Sequence, residues 1–144
     1  GAKYCLVGHS ERRTLFGETD VQIKQKLQLL KRSGIIPVLC VGESLKDRKS
    51  KLHLEVVRKQ MENYEEGMIV AYEPVWSIGT GLIPTTEEIV EMATFIQENY
   101  NTEILYGGSV NEENAKSILN IANINGVLIG NASLYAQKIN KILS

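Results

Sequence analysis

A short, continuous apolar run followed by an amphipathic helical pattern recurs five times along this 144-residue chain. The runs are Tyr4–Val7, Ile35–Val41, Met68–Tyr72, Ile104–Tyr106 and Gly126–Ile129. None alternates apolar with polar residues, and each is bounded by Gly or polar residues, the pattern of parallel strands buried on both faces. The helical stretches carry their own signals. Ile23, Leu27 and Leu30 share a face behind Thr19 and Gln22, which have capping-box spacing, and Gly34 stands where a left-handed cap would end that helix. Leu54, Val57, Met61 and Tyr64 form the next stripe, and Thr85 with Glu88 precede Ile89, Met92 and Ile96. Asn111 can cap a fourth helix with apolar positions Ala115, Ile118 and Leu119, and Tyr135, Ile139, Ile142 and Leu143 mark a last one.

Five consecutive βα units require a parallel sheet with right-handed crossovers. Two architectures satisfy this: a self-contained five-stranded doubly wound sheet, or part of an eight-unit (β/α)₈ barrel, which takes about 250 residues. Gly1-Ala2-Lys3 runs directly into a strand with no initiator Met, as though a helix had ended there, so the expectation is a partial barrel, residues 1–144 forming one incomplete domain. A net charge of -1 provides no basic patch for nucleic acid. The apolar runs are too short to span a membrane, and no signal-peptide pattern opens the chain, so a soluble cytoplasmic protein is expected. Cys5 and Cys40 lie inside apolar runs, which suits buried free thiols better than a disulfide, although a bridge stays open.

The unusual residues gather where the strands end. The exits are Gly8-His9-Ser10-Glu11, Gly42-Glu43, Glu73-Pro74, Gly107-Gly108-Ser109 and Gly130-Asn131-Ala132-Ser133. Parallel α/β folds bind ligands at the carboxyl ends of their strands. Glu73 closes the run Met68–Tyr72, and Pro74 keeps it extended. By position alone it reads as a surface glutamate. A carboxylate at the lip of an apolar strand loses some hydration, however, which makes it a better base, and the segment Pro74–Gly81, apolar first and Gly-rich later, suits a lid over a site, with a packed loop as the alternative. Gly107-Gly108-Ser109 is expected to lead within two residues into a helix N-terminus, and Gly130-Asn131 to do the same before Ser133, a setting that attracts phosphate. His9 opens a short polar turn, where a neutral imidazole is expected to donate a hydrogen bond to a carbonyl. His53, beside a helix stripe and without special neighbours, reads as a surface histidine.

Together, Gly8–Arg13, Ala71–Gly81, Tyr106–Val110 and Gly126–Gly130 resemble triosephosphate isomerase in order and spacing over the whole chain. The resemblance implies a TIM (β/α)₈ barrel of which this chain supplies units four to eight. It implies that Glu73 is the catalytic base and His9 the electrophile, with Ser10, Glu11, Glu43, Trp76 and Tyr106 in support. Phosphate contacts fall to the backbone of Gly79, Ser109, Gly130 and Asn131. Tyr106 and Ser109 would latch the closed lid, and Glu43 would hold Trp76 in one lid state. The substrates implied are dihydroxyacetone phosphate and D-glyceraldehyde 3-phosphate, with no metal and no cofactor, in a homodimer of glycolysis and gluconeogenesis.

Departures from the family pattern accompany the match. Asn131 stands where a second Gly is common, and Leu82 replaces a common Lys. The Asn and Lys that the family's first strand brings to the site are absent from these residues, which deprives Glu11 of its expected partner. The dimer loop after the family's third strand is absent too. These 144 residues alone are therefore expected to be inactive. The rival readings are a non-catalytic phosphate-binding fragment and an unrelated doubly wound domain.

Overall fold

The computed structural model describes residues 1–143, and within them the strands are β1 (Tyr4–Val7), β2 (Ile36–Val41), β3 (Ile69–Tyr72), β4 (Ile104–Tyr106) and β5 (Gly126–Val127). All pair in parallel, in the order β1-β2-β3-β4-β5. That strictly sequential order excludes the doubly wound alternative, which reverses direction mid-sheet, and is that of a barrel segment. The helices are α1 (Ser10–Phe16), α2 (Asp20–Arg32), α3 (Leu45–Lys49), α4 (His53–Gln60), α5 (Thr86–Asn99), α6 (Ala115–Leu119) and α7 (Ala136–Leu143). Short 3-10 turns occupy Met61–Asn63, Val75–Ser77 and Asn131–Leu134.

The capping boxes form as their spacing dictates. Thr19 with Gln22, and Thr85 with Glu88, satisfy each other's backbone donors at the starts of α2 and α5. Ser44 and Asp47 do the same for α3. Gly34 takes φ 68° just beyond α2, the left-handed geometry that a side chain would strain. The fourth helix differs from expectation. It begins at Ala115, and Asn114 before it makes no side-chain capping bond; Asn111 caps the preceding turn instead, its side chain accepting from the N–H groups of Glu113 and Asn114 and its carbonyl from the Ala115 N–H at 3.0 Å. Leu119 is exposed, and of the expected α7 stripe only Ile142 is buried.

Strand parity divides the core. Val7, Leu39, Val41, Val70, Tyr72, Ile104 and Tyr106 face the helices and pack with Ile23, Leu27, Val57, Met61, Ile89, Met92 and Ile96. The opposite face carries Val38, Cys40 and Ala71, flanked by Ile69, Leu105 and Leu128. The expectation of strands buried on both faces holds for β2 and β3 but fails at β1. There Tyr4 is 57% and Leu6 47% exposed, because no neighbouring strand lies on that side of the sheet among the described residues. A groove of about 300 Å³ runs over this inner face from Tyr4 and Leu6 to Leu128. Both cysteines are free, Cys40 buried and Cys5 half-buried.

Candidate active site

The strand ladder continues one residue past the strands and builds the centre of the site. Glu73 N–H donates to the Val41 carbonyl at 2.7 Å, Gly107 N–H to the Tyr72 carbonyl at 2.8 Å, and Leu128 N–H to the Tyr106 carbonyl at 2.8 Å. Parity then sets Gly42, Glu73, Gly107 and Leu128 in one row on the inner face. Both glycines are required by space. A Cβ on Gly42 would lie 1.8 Å from the Glu73 carbonyl oxygen, and one on Gly107 would lie 2.8 Å from Glu73 Cγ. The Gln60 side chain fixes Gly42 from the other side, accepting from its N–H at 2.8 Å and donating to its carbonyl at 3.0 Å.

Glu73 is 2% exposed, and among the described residues no hydrogen bond of good geometry reaches either carboxylate oxygen, although the Ser10 N–H and the Cys40 thiol face it. Burial pushes its pKa above the usual carboxylate value, opposed by His9 and by the Ser10 backbone N–H. His9 Nε2 lies 3.5 Å from Glu73 Oε1. The histidine is the N-cap of α1, with Nδ1 accepting from the Glu11 N–H at 3.3 Å, so Nε2 carries the proton of the neutral ring and points toward the carboxylate. The turn that places it is held by Arg13, whose Nε donates to the Gly8 carbonyl at 2.8 Å and whose Nη1 pairs with Asp20 at 2.7 Å. Ser10 is buried at the start of α1, and Glu11 is exposed at the rim.

These groups open into a cavity of about 630 Å³. Its walls include His9, Glu11 and Glu73 on one side, and Gly79, Ser109, Gly130 and Asn131 on the other. The residues expected to act together are therefore gathered at one end of the sheet. Ile78, Gly79 and Gly81 of the segment Pro74–Gly81 also border this cavity. Ser77 is fully buried, and its Oγ donates to the Leu82 carbonyl at 2.8 Å and accepts from the Ser109 N–H at 3.1 Å; the Ser109 hydroxyl donates in turn to the Ser77 carbonyl. The Gly-rich end turns through Gly79 (φ 66°) and Gly81 (φ 76°), closed by Thr80 Oγ1 on the Trp76 carbonyl at 2.8 Å.

The base of this segment is anchored on Glu43, which is fully buried. Its Oε1 accepts from Trp76 Nε1 at 3.1 Å, the Tyr72 hydroxyl at 3.2 Å and Arg48 Nε at 3.0 Å, whereas Oε2 has no partner. Tyr106 places its hydroxyl under Gly108 without a partner, and burial pushes its pKa up to about 12. Its ring meets Tyr72 edge-on, with centroids 6.2 Å apart.

Several expectations are corrected here. Gly107-Gly108-Ser109 does not enter a helix directly, since α6 starts only at Ala115; the loop is instead held by Asn114 Nδ2 on the Ser109 carbonyl at 2.8 Å. Gly130 does cap a helical turn, the 3-10 turn Asn131–Leu134. Asn131 is absent from the residues with positive φ, so its side chain meets no left-handed strain. His53 is buried, not superficial: its Nε2 lies 3.0 Å from Glu91 Oε2. Sequence reasoning missed Arg48, Ser77 and Lys138, which also borders the cavity. A signal existed for Arg48, an arginine five residues beyond Glu43 at the end of a one-turn helix.

The sequence profile of the triosephosphate isomerase family matches residues 1–144. The chain is 44% identical over 149 residues to a triosephosphate isomerase of Mesomycoplasma hyorhinis, covering 99% of this chain and 61% of that protein. It is 42% identical over 159 residues to one of Aquifex aeolicus, covering 99% and 64%. The crystal structure of triosephosphate isomerase from Bartonella henselae superposes with a TM-score of 0.90 at 37% identity, over 99% of this chain and 64% of that one. The chain thus spans a little over three-fifths of the length of these relatives, the proportion that five units make of eight. With a sequential parallel sheet, a buried Glu beside a capping His, and this likeness over its full length, the chain belongs to the triosephosphate isomerase family.

Proposed function

We propose that these residues supply the base, the electrophile, the lid and the phosphate seat of a triosephosphate isomerase site. In this reading Glu73 removes the proton from the carbon beside the carbonyl of dihydroxyacetone phosphate. Electron density moves onto the carbonyl oxygen to give an enediolate. His9 donates its Nε2 hydrogen bond to that oxygen and carries protons between the two oxygens. Glu73 then returns its proton to the neighbouring carbon, giving D-glyceraldehyde 3-phosphate. Atoms and charge balance without a metal or cofactor. The observation that supports this best is the Glu73 carboxylate itself: buried, reached by no hydrogen bond of good geometry among the described residues, its pKa raised, and facing both His9 and a cavity.

The other roles follow the same reading. Backbone N–H groups of Gly79, Ser109, Gly130 and Asn131 hold the phosphate, Tyr106 and Ser109 latch the lid, and Glu43 holds Trp76. A closed lid excludes water and so protects the enediolate from losing phosphate. General acid–base positioning supplies about 10²–10⁴-fold, leaving much of the acceleration to electrostatic stabilisation of the enediolate. The cationic residue for that task belongs to the family's first strand. The activity is therefore that of the eight-unit protein, a cytoplasmic homodimer serving glycolysis and gluconeogenesis. The 144 residues alone bind phosphate weakly and turn over at background.

Glu73→Asp in the eight-unit protein tests the assignment. Withdrawing the carboxylate by one methylene is expected to lower kcat about 10²-fold with KM little changed. Unchanged turnover would refute Glu73 as the base.

A further inference from the structure

Glu91, in the middle of α5, is a half-exposed glutamate that on an ordinary surface helix would move freely in solvent. Its Oε2 is instead held by two donors from other elements: Arg48 Nη1 of α3 at 2.7 Å and His53 Nε2 of α4 at 3.0 Å. Arg48 directs its remaining nitrogens inward. Nε and Nη2 each lie 3.0 Å from Glu43 Oε1, and Nη2 also donates to the Tyr72 hydroxyl at 3.0 Å. Since Glu43 Oε1 also receives the Trp76 indole, one continuous chain runs His53–Glu91–Arg48–Glu43–Trp76.

Each link constrains the next. Glu43 Oε2 has no partner, so its carboxylate orientation depends wholly on the groups around Oε1. The guanidinium is a rigid planar fork, so whatever fixes its plane fixes where Oε1 can sit. The outer corner of that plane bonds Glu91, and Glu91 is steadied by His53. A carboxylate only accepts, so His53 must carry its proton on Nε2, leaving Nδ1 buried and without a partner. His53 does not cap its helix; the N-cap of α4 is Leu52, with no side-chain bond. The bond to Glu91 is thus the single polar contact of this buried imidazole among the described residues.

We propose that His53 and Glu91 are positioning residues for the base of the lid. By clamping the Arg48 guanidinium they hold Glu43 Oε1 where it anchors the Trp76 indole. The consequence for turnover rests on reading Pro74–Gly81 as a lid, but the anchor itself can be measured without any substrate.

Trp76 is the only tryptophan among these 144 residues, so emission excited selectively at the indole, apart from the six tyrosines, reports this anchor in them. In His53→Leu and in Glu91→Ala, the ratio of freed to anchored indole is expected to rise about three- to tenfold, seen as red-shifted emission and stronger acrylamide quenching. His53→Gln keeps a donor and is expected to restore most of the parent signal. The double variant His53→Leu/Glu91→Ala is expected to add nothing, since both changes cut one chain. A purely structural role would lower the melting temperature and leave the quenching of the folded chain unmoved. That result in Glu91→Ala, or strictly additive effects in the double variant, would overturn the proposal. If His53→Leu fails to fold, His53→Gln and Glu91→Ala still decide it. Loss of the isomerase reading would leave these spectra untouched, so the two failures are distinguishable.

Discussion

The two halves of the cavity are held by opposite means. Around Glu73 the structure is crowded and buried: Gly42 makes room for its backbone and Gly107 for its side chain, and Glu43, Arg48 and Tyr72 form a network that holds Trp76. Around Gly130 and Asn131 it is open. A Cβ on Gly130 would meet nothing within 4 Å, and both residues are exposed. The difference matches the chemistry each half is proposed to perform. A base needs a desolvated, immobile carboxylate, whereas backbone N–H groups can seat a phosphate from a wet turn. Mutations in the first half should therefore damage fold and function together, and those in the second should separate them.

The largest effect is expected from Glu43→Leu. It removes the carboxylate facing Arg48, whose side chain is only 9% exposed, and leaves a buried cation without its inner partner. A loss of about 3–5 kcal/mol in unfolding free energy is expected by urea titration. A loss comparable to a surface substitution would show that the network is not what holds this half.

A paired glycine experiment comes next. Gly42→Ala forces a methyl group into the Glu73 backbone and is expected to cost about 1–3 kcal/mol, while Gly130→Ala should stay within about 0.5 kcal/mol. Equal melting temperatures for the two variants would erase the contrast between the halves.

The smallest effect is electrostatic. The folded-state pKa of Glu73 is raised, chiefly by burial, so the folded protein binds its proton more tightly than the unfolded chain does. Stability from this group is fully present below the unfolded glutamate value and is lost as pH rises through the folded one. Glu73→Gln should therefore melt higher than the parent near neutral pH, with the gap closing under acid. A gap that widens under acid would reverse the sign of the argument.

Much of this arrangement was legible in the amino-acid order because it is local. The boxes at Thr19 and Thr85 need only residues three apart, and four of the five strand exits announce themselves by Gly followed by a polar side chain, the exception being Glu73-Pro74. What escaped depends on contacts between elements. His53 reads as superficial because nothing near it in sequence is special; its partner Glu91 lies 38 residues away, on another helix. The exposure of Tyr4 and Leu6 was equally invisible, since an apolar strand looks the same whether or not a neighbour covers it. The loop at Gly107 misled for a different reason. Asn111 caps the turn at Glu113 and Asn114 that leads into α6, so the helix itself starts only at Ala115, later than its local signature suggests.

The central claim is that Glu73 moves a carbon-bound proton, and hydrogen exchange tests it most directly. The eight-unit protein and its Glu73→Gln variant would be incubated with dihydroxyacetone phosphate in deuterated water, and deuterium at the carbon beside the carbonyl followed by NMR. The parent is expected to incorporate deuterium during turnover, and the variant to do so at least about 10²-fold more slowly while still binding inorganic phosphate. Equal incorporation by parent and variant would contradict the account.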